Sequence, residues 1–164
     1  MLFQGEEWAA SSPFQYFTDH EDAELGRLVS EGRKKEFAAF GWNPNDIPDP
    51  QDEQTFLRSK LNWEEQIGES HAEMLDWYKQ LIALRKSYPE LTVGSLKEMK
   101  VEYSEEEKWL AMRRGSLEIV VNLKNQSLQI PSTSKPLLSS NAAIKIDRAS
   151  LNLPADSVAI LKVK

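Results

Sequence analysis

Near Leu91 the apolar spacing of this 164-residue chain changes from a helical period to a period of two, which divides what the chain can fold into. Before that point Met74, Trp77, Tyr78, Leu81, Ile82, Arg85 and Tyr88 recur at i, i+3, i+4 and i+7 offsets. Such a stripe predicts a helix with one face turned to a core, stopped by Pro89. After it, residues 99–103 alternate, residues 108–113 carry Trp109 and Met112, and residues 117–122 are rich in β-branched side chains. Short runs follow at 128–130, 136–138, 143–146 and 157–163, separated by Ser, Asn, Pro and Asp. Evenly spaced short strands predict a small antiparallel sandwich. The fold class is therefore α+β, with residues 1–92 forming loops and helices and residues 93–164 an all-β tail.

The front half carries its own start and stop signals. Asp22 is placed to cap a helix from Ala23 to about Phe40, with Thr18 and Glu21 as a competing capping box, and Gly32 and Gly41 weaken and end it. Pro44, Pro48 and Pro50 mark a linker. Asn62 and Glu65 occupy the cap and N3 positions of a second helix. The opening residues, Met1-Leu2-Phe3-Gln4-Gly5, are apolar and strand-prone where a terminus is ordinarily polar. They read either as an ordinary N-terminal edge strand or as an inner strand separated from its neighbours in a longer chain, with Glu6, Glu7 and Trp8 then at its carboxyl end.

Charge and composition remove several function classes. Twenty Lys plus Arg against 26 Asp plus Glu leave a net charge of −6, without basic clusters to neutralise phosphates, so no nucleic-acid partner is expected. The absence of Cys excludes disulfides and thiolate metal sites. No apolar run is long enough for a bilayer and no leader-like start is present, so a cytoplasmic chain with no membrane partner is expected. Asp46, Asp49, Asp52 and Glu53 lack the donor order of a calcium loop and read as turn formers, and His71 reads as a polar surface residue. No metal or other cofactor is expected.

Reactive constellations are incomplete. Glycoside hydrolysis needs two carboxyl groups facing each other across a bond. Glu6 and Glu7 are adjacent, so on a strand they point to opposite faces and cannot form that pair. Ser11 or Ser12 with His20 and Asp19 lacks a nucleophile elbow, and no phosphate-cradling loop occurs.

The run Met1-Leu2-Phe3-Gln4-Gly5-Glu6-Glu7-Trp8, with Pro13-Phe14 and Phe17-Thr18-Asp19-His20, resembles the eighth barrel strand and following loop of α-amylase-superfamily enzymes. Taken with Asp49-Pro50-Gln51-Asp52, Thr55-Phe56 and Ser59-Lys60-Leu61-Asn62-Trp63, it resembles the malto-oligosyltrehalose trehalohydrolases. The resemblance implies the last strand and helices of a (β/α)8 barrel, followed by the family's C-terminal β-sandwich. It implies an enzyme that hydrolyses the α-1,4 bond next to a terminal trehalose. Its substrate is a malto-oligosaccharide capped by trehalose, and Glu6, Glu7, Trp8, Phe17, Asp19 and His20 are candidate substrate-binding residues at the carboxyl end of the barrel. Trp8 and Phe17 read equally as sugar-facing or as packing, whereas Phe14 and Tyr16 read as packing. In that family the nucleophile, the acid/base carboxylate and a stabilising Asp lie on earlier strands, so no catalytic residue is expected in this chain. Taken alone it is expected to be inactive, to lack the N-terminal barrel portion as a partner, and to self-associate through uncovered edges. A glycogen-branching or debranching enzyme, or a non-catalytic glucan-binding module, are the alternative readings.

Overall fold

The computed structural model describes residues 1–163. They divide into two compact units, Met1–Asp76 and Trp77–Lys164. Among the described residues, no helix is long and apolar enough to cross a membrane.

In the first unit the caps decide the helices. Helix α1 (Ala23–Ala39) starts where Asp22 accepts the N–H groups of Glu24 and Leu25, and the rival Thr18–Glu21 box goes unused. Helix α2 (Glu53–Ser59) starts at Asp52, whose carboxylate accepts the Gln54 N–H at 2.9 Å. Asn62 caps only a short 3-10 turn, Trp63–Ile67, after which helix α3 (Glu69–Ser87) begins and continues beyond the first unit. Residues 1–5 differ from the expected strand: they join no ladder, and the Glu6 N–H turns back to the Phe3 carbonyl at 3.1 Å. A strand exists only through hydrogen bonds to a neighbour. Among the described residues the first unit contains no strand to supply one.

The apolar stripe of α3 also departs from expectation. None of its residues is buried; Trp77, Tyr78, Leu81 and Tyr88 are half-buried, and Met74 and Ile82 are exposed. Periodicity marks the face that can be buried, but an opposing packed layer does the burying.

The second unit carries the strands β1 (Met99–Ser104), β2 (Trp109–Arg114), β3 (Leu117–Asn122), β4 (Leu128–Pro131), β5 (Pro136–Ser139), β6 (Lys145–Asp147), β7 (Ser150–Leu153) and β8 (Ser157–Lys162). One antiparallel sheet runs β1-β2-β3-β8-β5 and a second runs β4-β7-β6. Val120 from β3, Leu151 and Leu153 from β7, and Ala159 and Leu161 from β8 form a common core, so the two sheets pack as a small sandwich. Pro136 sits in an edge strand, where no partner needs its missing N–H. At the turn between β2 and β3, Gly115 has φ of +57°, and a Cβ there would meet the Glu90 side chain at 2.5 Å. Strand β7, absent from the sequence expectation, is the centre of the smaller sheet.

Candidate functional site

Three polar side chains organise the loops of the first unit, and Gln51 does most of it. Its Oε1 accepts the Thr18 hydroxyl at 2.6 Å and the His20 N–H at 3.3 Å, while Nε2 donates to the His20 carbonyl at 3.5 Å. The Thr18 N–H donates to the Pro50 carbonyl at 2.8 Å. A Cβ on Gly26 would lie 2.6 Å from Gln51 Nε2, so that helical glycine leaves the amide its place against α1. Asp49 supports the same corner. It accepts the Ser30 hydroxyl of α1 at 2.5 Å and the Gln51 N–H at 3.0 Å, and its carbonyl accepts the Thr55 hydroxyl at 2.7 Å. The Ser30 hydroxyl holds the Asp49 carboxyl below the usual carboxylate range. The Asp49-Pro50-Gln51-Asp52 motif is therefore a knot joining α1, α2 and the 18–20 loop. Its carboxylates accept hydrogens from neighbouring turns, in keeping with the turn-former reading.

That knot shapes a cleft of about 600 Å³ lined by Phe17, Thr18, Asp19, Gln51, Asp52, Glu53 and Phe56. Phe17 and Phe56 meet edge to face with centroids 5.2 Å apart, and each keeps over a third of its surface in solvent. Lys60 Nζ stands 5.8 Å from the Phe56 ring centroid. Aromatic rings beside three carboxylates suit a neutral ligand with C–H faces and many hydroxyl donors.

Of the candidate residues, the structure brings Phe17 and Asp19 together in this cleft. His20 is held beside it through its backbone. Glu6, Glu7 and Trp8 belong to a different cluster, the 3-10 turn Glu6–Trp8. A Glu6 carboxylate oxygen accepts the Phe3 N–H at 2.9 Å, and Glu7 is half-buried. Trp8 is only 1% exposed: it packs on Trp63 at 5.1 Å, its indole N–H points to Glu65 at 3.4 Å, and its carbonyl accepts from His71 Nδ1 at 2.7 Å. Glu65, expected to close a capping box, reaches instead to Ser11, accepting its N–H at 3.0 Å and its hydroxyl at 2.7 Å. Those two bonds, the hydroxyl foremost, hold its carboxyl below the usual range. His71 is thus a brace for the Trp8 turn rather than a free surface residue.

Sequence reasoning missed Gln51 and Phe56 as parts of the cleft. Both stood inside quoted motifs, and the available signal was an amide set between a Pro and a capping Asp, where a loop must be held.

No family profile matches the chain. The malto-oligosyltrehalose trehalohydrolase of a Rhizobium species is 42% identical over 164 residues, covering 99% of this chain and 27% of the relative. That of Mycobacterium tuberculosis is 46% identical over 162 residues, covering 99% and 28%. That of Deinococcus radiodurans is 60% identical over 92 residues, covering 56% and 15%. Among solved structures, a Salmonella typhimurium protein assigned to the alpha amylases superposes with a TM-score of 0.77 at 31% identity, over 98% of this chain and 27% of the other. A trehalulose synthase variant, 18% identical, shares the fold with a TM-score of 0.61 over 99% of this chain and 35% of its own. The chain spans under a third of the length of the curated relatives it matches. Over its whole length it is therefore homologous to a C-terminal portion of the malto-oligosyltrehalose trehalohydrolases.

Proposed function

We propose that this chain forms the end of the catalytic barrel and the accessory sandwich of a cytoplasmic trehalose-releasing glycoside hydrolase. Residues 1–92 belong to the barrel and residues 93–164 to the sandwich. The observation that carries the reading is identity of 42–46% to malto-oligosyltrehalose trehalohydrolases along the whole chain. In this reading residues 1–5 become the eighth strand once a neighbouring strand is supplied. The reacting carboxylates stand on the remaining strands, and this chain binds and orients the glucan. Phe17 and Phe56 offer ring faces to the C–H face of a glucose unit, and Asp19 and Glu53 accept its hydroxyl hydrogens. These fixed contacts hold the scissile bond in line with the acids that break it, the part of catalysis that positioning supplies. The exposure of Met1, Leu2, Phe3, Phe40 and Ile67 supports the reading, because a covering barrel removes such surface from water. Left uncovered, the same side chains promote self-association.

The test joins the chain to the upstream portion of a relative and measures trehalose release from maltotriosyltrehalose. The joined enzyme releases trehalose and the chain alone does not. Phe17→Ala and Asp19→Asn in the joined enzyme raise KM by about tenfold each, the loss expected for one good ligand contact. Turnover by the chain alone, or unchanged KM in both variants, refutes the proposal.

A further inference from the structure

The two sheets of the sandwich end in β1, β5, β4 and β6, and three of these edges are blunted against further pairing. Strand β5 opens with Pro136 and shifts register between Pro136 and Leu138, β4 ends in Pro131, and β6 has only 3 residues. Proline, broken register and shortness are the ordinary means by which an edge is kept from a second chain. Strand β1 uses none of them. It is 6 residues long without proline, and its register with β2 is unbroken from Met99↔Arg114 to Ser104↔Trp109. Among the described residues it pairs with β2 alone.

The alternation of hydrogen bonds across the sheet fixes which groups of β1 point outward. The Leu123 N–H donates to the Lys108 carbonyl at 2.8 Å, in register with the β2–β3 pairing, so even-numbered residues of β2 bond to β3 and odd-numbered ones to β1. Lys100, Glu102 and Ser104 therefore bond to β2, whereas Met99, Val101 and Tyr103 turn their main-chain groups away from it. The Met99 N–H is taken by the Leu96 carbonyl at 3.2 Å, which leaves the Val101 and Tyr103 N–H groups along the edge. The side chains of these two form an apolar strip, 44% and 64% exposed, beside Met112 and Leu110 of β2. On the opposite face Lys100 stands across from Arg113, and Arg113 across from Glu118, so a pair of basic residues has an acid at one end of its row only. Like charges directly opposite each other destabilise a sheet, and an acid set beyond Lys100 offsets that repulsion.

We propose that β1 is a docking edge for β1 of a second copy of this chain, in an antiparallel pair with its twofold axis at Val101. The segment Lys100-Val101-Glu102 is complementary to itself in that register. Val101 faces its twin, Lys100 faces Glu102 of the second copy, Glu102 faces Lys100, and Met99 faces Tyr103. The outward main-chain groups then meet as hydrogen-bonded pairs: Val101 exchanges both bonds with its twin, and each Tyr103 N–H donates to the Met99 carbonyl opposite. One step of register in either direction sets Lys100 against Lys100, or Glu102 against Glu102, and is disfavoured. A lysine on an edge ordinarily repels a second strand. Here the glutamate two positions on turns it into half of an ion pair. The contact is isologous and closes at two copies, joining their larger sheets into one. It is small, so the dimer is weak and depends on chain concentration. It uses none of the first-unit surface assigned to the barrel, and it does not rest on the function proposed above.

The test follows the 164-residue chain by sedimentation equilibrium and amide hydrogen exchange across a concentration series, with near-ultraviolet dichroism to establish folding. The chain dimerises, and the Val101 and Tyr103 amides gain protection as concentration rises. Lys100→Glu and Glu102→Lys each set like charges across the twofold and weaken the dimer by about tenfold. An equimolar mixture of the two variants dimerises. The double variant, in which the two charges change places, regains the dimer of the parent chain. Val101→Pro removes an outward N–H and abolishes the dimer, while the β2–β3 ladder keeps its protection. A folded chain that stays monomeric overturns the proposal. So does self-association that persists in both single reversals and in Val101→Pro without protection at Val101 and Tyr103, which assigns the contact to another surface. A double variant that fails to recover the dimer overturns the register and the proposal with it.

Discussion

The two units of this chain are held together by different means. In the second, ladders of backbone bonds carry a small apolar core in which Leu117, Val120, Leu151, Leu153 and Leu161 are all at most 1% exposed. In the first, apart from Pro50, Trp8 and Ile47 are the only large apolar side chains buried among the described residues, Ile47 keeping 7% of its surface in solvent, while Phe14, Phe40, Trp42 and Ile67 face solvent. Side-chain hydrogen bonds do the work there, through Gln51, Asp49 and Glu65. A sandwich buries one face of each strand and closes on itself. Under the proposed function, this set of loops and helices rests on the remainder of a barrel and needs polar ties to hold its shape until that barrel covers it.

The largest expected effect lies in the sandwich. Asn122 is fully buried at the end of β3; its Nδ2 donates to the carbonyls of Gln126, Leu153 and Pro154 at 2.9, 3.2 and 2.8 Å, and its Oδ1 accepts the Lys124 N–H at 2.9 Å. One side chain thus ties the end of one sheet to the connections of both. Asn122→Ala leaves these groups without partners and removes buried volume, for a loss of about 3 kcal/mol. Chemical denaturation measures it, and hydrogen exchange locates it: protection falls in β3, β7 and β8 and holds at Thr55. Equal loss of protection at Thr55 contradicts the division of labour between the units.

A smaller loss is expected at the knot of the first unit. Gly26→Ala gains about 1 kcal/mol of helix propensity, yet its methyl takes the space of the Gln51 amide. The amide must leave Thr18 and His20, each a bond worth about 1 kcal/mol. The net destabilisation is about 1 kcal/mol or less, and the sharper readout is the cleft. Amide exchange at Thr18 and His20 accelerates as the 18–20 loop is released. Gln51→Ala, which removes the same bonds without crowding α1, accelerates the same amides; a Gly26→Ala variant with native exchange there removes Gln51 from its assigned role.

What was readable in the sequence follows the same divide. Residues 117–122 and 157–163 carried their strands openly because burial on one or both faces imposes a pattern on neighbouring residues. Strand β7 did not. The turn before it uses Arg148 and Ala149, both with positive φ, where the usual signal is Asn or Gly. The caps Asp22 and Asp52 are local bonds, and Asp22 was legible as one. Gln51 to Thr18 spans 33 positions and Glu65 to Ser11 spans 54, so no spacing rule reaches them. Phe17 and Asp19 stood among six candidates offered by resemblance, and neither their meeting in one cleft nor the placement of Trp8 away from it was legible, since an indole that packs and one that stacks on a sugar are the same residue in a sequence. The strand expected at 1–5 is not formed in this chain for a related reason: strand propensity is local, whereas a ladder needs a partner.

The least costly way to separate the two modes of cohesion is acid. In the first unit the Ser11 hydroxyl and N–H hold the Glu65 carboxyl below its ordinary value, and Ser30 does the same for Asp49. A carboxyl whose pKa is lower in the folded than in the unfolded chain adds stability above its unfolded value, near pH 4 to 4.5. That contribution disappears as pH falls through the folded value. Glu90 in the second unit behaves likewise, held down by its own backbone N–H and by the Ser116 hydroxyl at 2.8 Å, but the sandwich has its apolar core in reserve. Lowering the pH from 5 to 3 should therefore loosen the 8–11 and 49–51 segments while the β3–β8 ladder persists. Glu65→Gln, which keeps an acceptor for Ser11 but cannot titrate, flattens the acid response of the Ser11 amide and leaves that of Gln51 in place. An unchanged response at Ser11 assigns the loosening to another carboxyl. Simultaneous collapse of β3 and β8 at the same pH makes the sandwich as dependent on its charges as the loops are.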